Sequence, residues 1–290
     1  MTMQEALRAA VAELSAGAES PQAEAEELLG RLLGLSRTEI HLNGARLVSP
    51  EQARTLAEWI ERRRAGEPIQ YITGRAAFRG LDLEVGPDVL VPRPETEGLV
   101  ERVLEILRAE RQRWPAPRVL DLGTGSGAIA LAIASEMPRT ILTATDVSAA
   151  ALVVARRNAA ALGLASRVRL LGGSWFAALE ENERFEVIIS NPPYISERER
   201  ESLPREVRDH EPAPGLFSGP TGLEALREIV ERAPRHLAPE GWLALEVADA
   251  RASHVLAWLT GARDWEEARL EEDLSGRPRV ALARRRAQWW

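Results

Sequence analysis

Cysteine is absent from this 290-residue chain, and so is lysine: all 37 basic side chains are arginine. The first absence excludes a disulfide framework, a thiolate zinc site and a thiol nucleophile, and points to an intracellular setting. The second removes a Tyr-Lys type of proton relay. Histidine is scarce. His41, His210, His236 and His254 are scattered without metal-ligand spacing, so no metal is expected. Long apolar runs are missing too. The longest uncharged stretch, Leu122 to Ser135, is glycine-rich and falls short of the ~20 apolar residues of a membrane span. The start, "MTMQEALRAA", lacks a basic segment followed by an apolar core. A cytoplasmic protein without membrane attachment is expected. A net charge of -7 argues against a dedicated nucleic-acid binder, whose footprint is a basic face.

What is present is enough for a sizeable core: 45% hydrophobic and 28% charged residues over a length that suits two domains. Up to about Arg75 the pattern is helical. Leu7, Ala10, Val11 and Leu14 fall at i, i+3, i+4 and i+7, and Ser20-Pro21 reads as an N-cap followed by proline at the first helical position. Gly34 stops that helix. Ser36 with Glu39 and Ser49 with Gln52 fit the capping box. Arg62 to Arg64 fan around a helix axis and read as a solvated helix end. This predicts a small all-helical domain over 1–75. Leu81, Leu83 and Val85 then alternate, and Gly86-Pro87 turns into Val89, Leu90 and Val91, which predicts a β-hairpin linker over 76–91.

The remaining residues, 92–290, alternate short apolar runs with helical ones. Val119–Leu122, Ile141–Thr145, Val168–Leu171, Phe185–Ile189 and Leu243–Val247 are strand candidates, with helices expected near 128–136, 149–162, 222–237 and 250–260. The alternation predicts a doubly wound α/β sheet. Ala268–Leu270 and Val280–Ala283, joined through Ser275-Gly276-Arg277-Pro278, add an antiparallel pair at one edge and bring the sheet to seven strands.

Two segments carry chemistry. In "VLDLGTGSGAIALA", Asp121, Gly123, Gly125 and Gly127 lie between a strand and a helix. Glycines serve where the chain turns tightly and a ligand must approach the backbone, and the following helix offers unpaired N–H groups. Gly123-x-Gly125-x-x-Ala128 also satisfies the dinucleotide fingerprint, so the loop alone leaves the cofactor open. Asp146, closing the next strand, is placed to accept ribose hydroxyls. An adenosine-containing ligand follows from the pair.

The second segment is "FEVIISNPPYISE", where a buried strand runs straight into Asn191, Pro192, Pro193 and Tyr194. Each proline forces the preceding residue toward extended geometry and withholds its own N–H. The loop therefore presents acceptors, the Asn191 side-chain oxygen and the Pro192 carbonyl, beside a planar phenol. That set suits a planar –NH₂ group, its two hydrogens held, its face stacked on Tyr194 and its nitrogen turned toward an electrophile such as a sulfonium methyl. In a doubly wound sheet the loops after Leu122 and Ile189 emerge side by side at the switch point. The two motifs are thus expected to share one crevice.

These residues resemble the HemK/PrmC family of protein-(glutamine-N5) methyltransferases, which modify the glutamine of the Gly-Gly-Gln loop in class I peptide chain release factors. The similarity runs over nearly the whole chain: "GEPIQYITG" at 66–74, "VPRPETEGLV" at 91–100, "DLGTGSG" at 121–127, "SNPPY" at 190–194, "EP" at 211 and "GRPRV" at 276–280. It implies a Rossmann-like methyltransferase sheet in which Gly123, Thr124, Gly125, Ser126 and Gly127 hold S-adenosylmethionine, Asp146 its ribose, and Trp175 its adenine by stacking. S-adenosylhomocysteine is the implied product. Asn191, Pro192 and Tyr194 would be the catalytic residues, with Asn191 also facing the cofactor. Pro193, Arg93 and Glu95 would complete the substrate pocket, the last two at its mouth. The helical domain would dock the release factor, with the enzyme a monomer. Two positions depart from the family. Ser174 stands where the family has an acidic residue before the tryptophan, and "EVAD" at 246–249 replaces a Glu-Ile-Gly expected to touch only the sheet edge.

Three alternatives compete. A nucleic-acid amino methyltransferase, acting on adenine N6 or an exocyclic amine of ribosomal RNA, shares Asn-Pro-Pro-Tyr but usually carries a basic target-recognition region. A cofactor-sensing binding module needs no such loop. A nicotinamide dehydrogenase needs a proton relay that is missing here.

Overall fold

In the computed structural model, which describes residues 1–18 and 20–287, three of the first four helices start in a capping box. They are α1 (Met3–Leu14, Thr2 with Glu5), α3 (Arg37–Leu42, Ser36 with Glu39) and α4 (Pro50–Arg64, Ser49 with Gln52). In each, the hydroxyl accepts an orphan backbone N–H and the residue at N3 reaches back. Helix α2 (Pro21–Leu33) has proline in its first turn, but Ser20 makes no side-chain cap bond, contrary to expectation. Gly34, at φ +66°, ends α2 in the left-handed conformation that glycine adopts without penalty. Apolar residues such as Met3, Ala10, Leu28, Leu29 and Ile40 converge on a core of their own. The Arg62–Arg64 run is less bland than its sequence suggests. The three side chains do fan apart, Arg62 to Glu67 and Arg64 to Glu13 and Glu61, but Arg63 is largely buried between Glu24 and Glu206.

The hairpin lies earlier than predicted. Ile69–Thr73 is a short helix, α5, and the two strands are β1 (Arg75–Phe78) and β2 (Leu81–Glu84), turning at Arg79-Gly80. Gly86 to Arg93 carries no regular structure apart from a turn, so the Val89–Val91 strand is not formed. Pro87 and Pro92, which lack the donor a ladder needs, bracket that stretch.

The large unit is built on a seven-stranded sheet in the order β5-β4-β3-β6-β7-β9-β8. After α6 (Pro94–Ala109), the chain enters the centre of the sheet at β3 (Arg118–Leu122). It winds outward through α7 (Ala128–Glu136), β4 (Ile141–Asp146), α8 (Ala149–Ala161) and β5 (Val168–Gly172), then returns to β6 (Phe185–Ser190) on the other side of β3. All these pairings are parallel. Two short helices follow, α9 (Arg205–His210), which clusters with the helical unit, and α10 (Ala213–Leu216). After α11 (Glu224–Arg232), β7 (Leu237–Glu246) continues the parallel set. Helix α12 (Asp249–Gly261) leads to β8 (Trp265–Glu272) and β9 (Pro278–Arg285), which add the antiparallel edge.

Why β3 and β6 read as continuous apolar runs is clear from their two faces. Val119, Val187 and Ile189 pack toward α6 and α7, whereas Leu120, Leu122 and Ile188 pack toward α11 and α12. Each fully buried leucine or isoleucine contributes roughly 1.5–3 kcal/mol. The period of two carries Asp121 to the α7 side of β3, beneath the glycine loop and wholly buried. Helix α7 is apolar all round, buried from Ala128 to Ala134, and its small side chains let it lie close to the sheet.

Candidate active site

Leu122 and Ser190 are register partners at the tips of β3 and β6, so the two motif loops leave the sheet side by side. The Ser190 hydroxyl, fully buried, donates to the Leu122 carbonyl at 2.7 Å and ties the two tips together where the ladder ends. The glycine loop is held from its other flank: Gly123 and Thr124 N–H both donate to the Thr145 carbonyl at the end of β4. Gly123, Gly125 and Gly127 take φ of +72°, +55° and +85°, which only glycine adopts at low cost.

Asp146 closes β4 with both carboxylate oxygens engaged. Oδ2 accepts from Gly125 N–H at 2.8 Å and Oδ1 from Ser148 N–H at 2.8 Å. The remaining lone pairs border a cleft of about 180 Å³ lined by Gly123, Gly125, Asp146, Trp175, Asn191 and Pro193 among others. Trp175 sits at φ +49°, its carbonyl taking the Thr145 hydroxyl and its ring close against Gly123. Ser174 lines the same cleft.

Other predicted residues lie elsewhere. Thr124 turns inward and donates to Asp121 Oδ2 at 2.6 Å, and Ser126 and Gly127 are buried. Burial pushes the Asp121 carboxyl up to about 7, against the Thr124 hydrogen bond, which lowers it. The Ala130 N–H in the first turn of α7 also lowers it, so the buried carboxyl is held from both the loop and the helix. Pro192 is buried and, like Tyr194, lies behind the cleft lining. Arg93 pairs with the buried Glu211, its Nη2 within 2.6 and 2.7 Å of the two oxygens. Glu95 is exposed and borders a separate groove with Arg102, Asp273 and Arg279.

Two residues that sequence reasoning does not single out stand behind the predicted pair. Asn191 Nδ2 donates to Thr96 Oγ1 at 3.0 Å, and Thr96 in turn donates to Glu246 Oε2 at 2.6 Å. The Tyr194 hydroxyl reaches the other oxygen, Oε1, at 3.2 Å. Glu246 is 1% exposed and ends β7, an interior strand, so the expectation that "EVAD" touches only the sheet edge is overturned. The available signal was a carboxylate directly following the apolar run Trp242–Leu245. Burial raises the Glu246 carboxyl, opposed by the hydrogen bonds from Thr96 and Tyr194 and by Arg279. Burial likewise raises the Tyr194 phenol, which keeps its proton and stays a donor. Behind the loop, Gly222 at φ +75° lies so close that a Cβ there would meet the Tyr194 carbonyl at 2.5 Å.

This arrangement fits an adenosyl cofactor: a glycine loop open to backbone approach, a carboxylate at the next strand tip and a flat indole beside them. It also places an amide acceptor in the same cleft. Comparison with known proteins agrees. Residues 5–74 match the family model described as PrmC N-terminal domain, and residues 101–206 match that of the Methyltransferase small domain. The chain is 42% identical to the release factor glutamine methyltransferase of Moorella thermoacetica, over 99% of this chain and 100% of that protein. It is 40% identical to the one of Koribacter versatilis, over 98% and 99%. Among solved structures, a methyltransferase from Pyrococcus furiosus shares the fold at TM-score 0.51 and 22% identity, over 80% of this chain and 100% of that one. The chain belongs to the release factor glutamine methyltransferase family, with S-adenosylmethionine as its methyl donor.

Proposed function

We propose that the chain methylates the side-chain amide nitrogen, N5, of the glutamine in the Gly-Gly-Gln motif of class I release factors, at the tip of β6. The observation that carries this reading is the placement of Asn191. It lines the same cleft as Gly123, Gly125 and Asp146, with its Nδ2 engaged by Thr96 and its Oδ1 left for a ligand.

In this reading Gly123 and Gly125 offer backbone to the cofactor, with Thr124, Ser126 and Gly127 supporting the loop from below, Asp146 holds the ribose and Trp175 stacks on the adenine. S-adenosylmethionine supplies an electrophilic methyl group on a cationic sulfur and leaves as S-adenosylhomocysteine. Asn191 Oδ1 accepts one amide hydrogen from the cleft side, and the Pro192 carbonyl and the Tyr194 ring, which do not border that cleft, would meet the second hydrogen and the amide plane only once the substrate has entered beside them. An amide nitrogen is a poor nucleophile because its lone pair is delocalised. Two fixed acceptors polarise both N–H bonds and hold the nitrogen in line for attack, which is catalysis by orientation and electrostatics. The new N–C bond forms as the methyl–sulfur bond breaks, and one amide proton passes to water or a neighbouring acceptor. Arg93, fixed by Glu211, would border the substrate entrance, whereas Glu95 lies on the separate groove with Arg102, Asp273 and Arg279.

We further take the helical unit as the docking element for the release factor, with 76–91 linking it to the methyltransferase domain, 92–290. The enzyme would work as a cytoplasmic monomer without direct nucleic-acid contact, to which the net charge of -7 lends support. Among the described residues, no helix is long and apolar enough to cross a membrane.

The test is mass spectrometry of a release factor incubated with the protein and S-adenosylmethionine. One added methyl on the Gly-Gly-Gln peptide is expected. Transfer to ribosomal RNA or DNA in its place would overturn the reading. Asn191→Ala is the matching control, expected to lower turnover about 10²–10³-fold, as loss of a transition-state hydrogen-bond partner does, while cofactor binding persists.

A further inference from the structure

The hydrogen bonds behind Asn191 run in one direction, and that direction has a chemical consequence. Glu246 accepts at both of its oxygens, Oε2 from the Thr96 hydroxyl and Oε1 from the Tyr194 hydroxyl. The Thr96 hydroxyl has one proton and spends it on Glu246 at 2.6 Å, so toward Asn191 its oxygen can only accept. Asn191 must then offer its –NH₂ end to Thr96, as observed at 3.0 Å, and its carbonyl end is left for the cleft. Tyr194, donating to the second Glu246 oxygen, is anchored by the same carboxylate.

An asparagine amide turned by half a rotation keeps its shape but exchanges acceptor for donor. With Nδ2 outward, Asn191 would present N–H groups to an –NH₂ substrate that itself has only N–H to offer. We propose that Glu246 and Thr96 are positioning residues that fix which end of the Asn191 amide faces the substrate. Three elements supply the chain: Thr96 on α6, Asn191 and Tyr194 after β6, and Glu246 at the end of β7. Burial holds the Glu246 carboxyl above its ordinary value, opposed by the Thr96 and Tyr194 hydrogen bonds and by Arg279 on β9. The inference rests on the reading above, in which Asn191 Oδ1 receives the substrate amide.

The test uses the full chain with a release factor or a Gly-Gly-Gln peptide. Thr96→Val removes the hydroxyl at nearly constant volume and is expected to lower kcat about tenfold to a hundredfold, the range for losing a hydrogen bond within a charged chain. Affinity for S-adenosylmethionine should stay within about twofold, since a change of 0.4 kcal/mol or less is expected for a residue outside the cofactor cleft. Thr96→Ser, which keeps the hydroxyl, should restore most of the turnover. Glu246→Gln, a change of one atom, should also lower kcat and covers the case in which Thr96→Val does not fold. A peptide with glutamate in place of the glutamine gives the readout that mere packing would not move. Its carboxylate accepts, so it should compete better against the glutamine peptide in Thr96→Val than in the parent. Parental kcat in Thr96→Val, equal damage in Thr96→Ser, or an unchanged glutamate-to-glutamine preference overturns the relay while an inactive Asn191→Ala leaves the underlying reading standing. An active Asn191→Ala overturns both.

Discussion

The loops after β3 and β6 start from paired residues, yet they are held in opposite ways. The glycine loop is fixed mostly through main chain, by the Thr145 carbonyl, the Gly125 and Ser148 N–H groups and three left-handed glycines, with the carboxylates of Asp146 and, through Thr124, Asp121 beside them. The Asn-Pro-Pro-Tyr loop is fixed by side chains that converge from α6 and β7 on a buried glutamate. A cofactor that is always the same can be cradled by backbone, whose left-handed turns glycines provide. A reacting amide needs donors and acceptors in a set order, which only side chains supply. The backbone-built half should therefore respond to substitution mainly in affinity and stability, and the side-chain-built half in turnover.

The sharpest way to break that contrast is Gly222→Ala, because it attacks the side-chain half through its backbone support. The added methyl meets the Tyr194 carbonyl at 2.5 Å and φ is +75°, so strain and displacement together should cost about 3 kcal/mol or more. Thermal unfolding should show the loss, and turnover should fall beyond what cofactor affinity explains. Unchanged melting would mean that the loop has room to move.

Next in size is a pH effect on the glycine-loop half. Asp121 is raised to about 7 in the folded chain against an unfolded value near 3.8, so the folded state holds the extra proton between those values. Stability should decline as pH rises from about 4 to about 7 and then level off, a change on the order of 2–4 kcal/mol. Urea unfolding of the parent and of Asp121→Asn across that window checks the sign, since the variant should lack this decline. A parent that gains stability relative to the variant over the same range would show that the carboxyl is stabilised as an anion.

Asp146→Ala separates affinity from turnover. Removing the acceptor of Gly125 and Ser148 N–H should weaken cofactor binding by about 1.5–3 kcal/mol, measured by calorimetry, with a much smaller fall in turnover at saturating cofactor. An equal loss in both would erase the proposed division between the halves. The smallest effect belongs to the helical unit. Ser49→Ala removes half of the α4 capping box and should cost about 1 kcal/mol in thermal unfolding, with methylation of a short peptide unchanged.

How much of this was legible depends on whether neighbours in space are neighbours in sequence. The capping boxes, the Gly34 stop, the parallel strands and the glycine loop are local patterns, and they stand where periodicity put them. The hairpin was misplaced because alternation in Leu81, Leu83 and Val85 was extended past Gly86-Pro87, where the prolines remove ladder donors. Arg63 read as solvated because its partners, Glu24 and Glu206, are remote in sequence. Glu246 was misjudged for the same reason: its hydrogen-bond partners lie 150 and 52 positions away.

By itself, then, the sequence determined the elements, the order in which they alternate, and the two residue sets that bear on chemistry, because each is encoded within a turn or a strand length. Only the tertiary structure decided that Thr96 and Glu246 stand behind Asn191 and which end of that amide meets the cleft. The physical reason is that a hydrogen bond's direction follows from the whole chain of donors and acceptors it belongs to, and that chain exists only once α6, β6 and β7 have packed together.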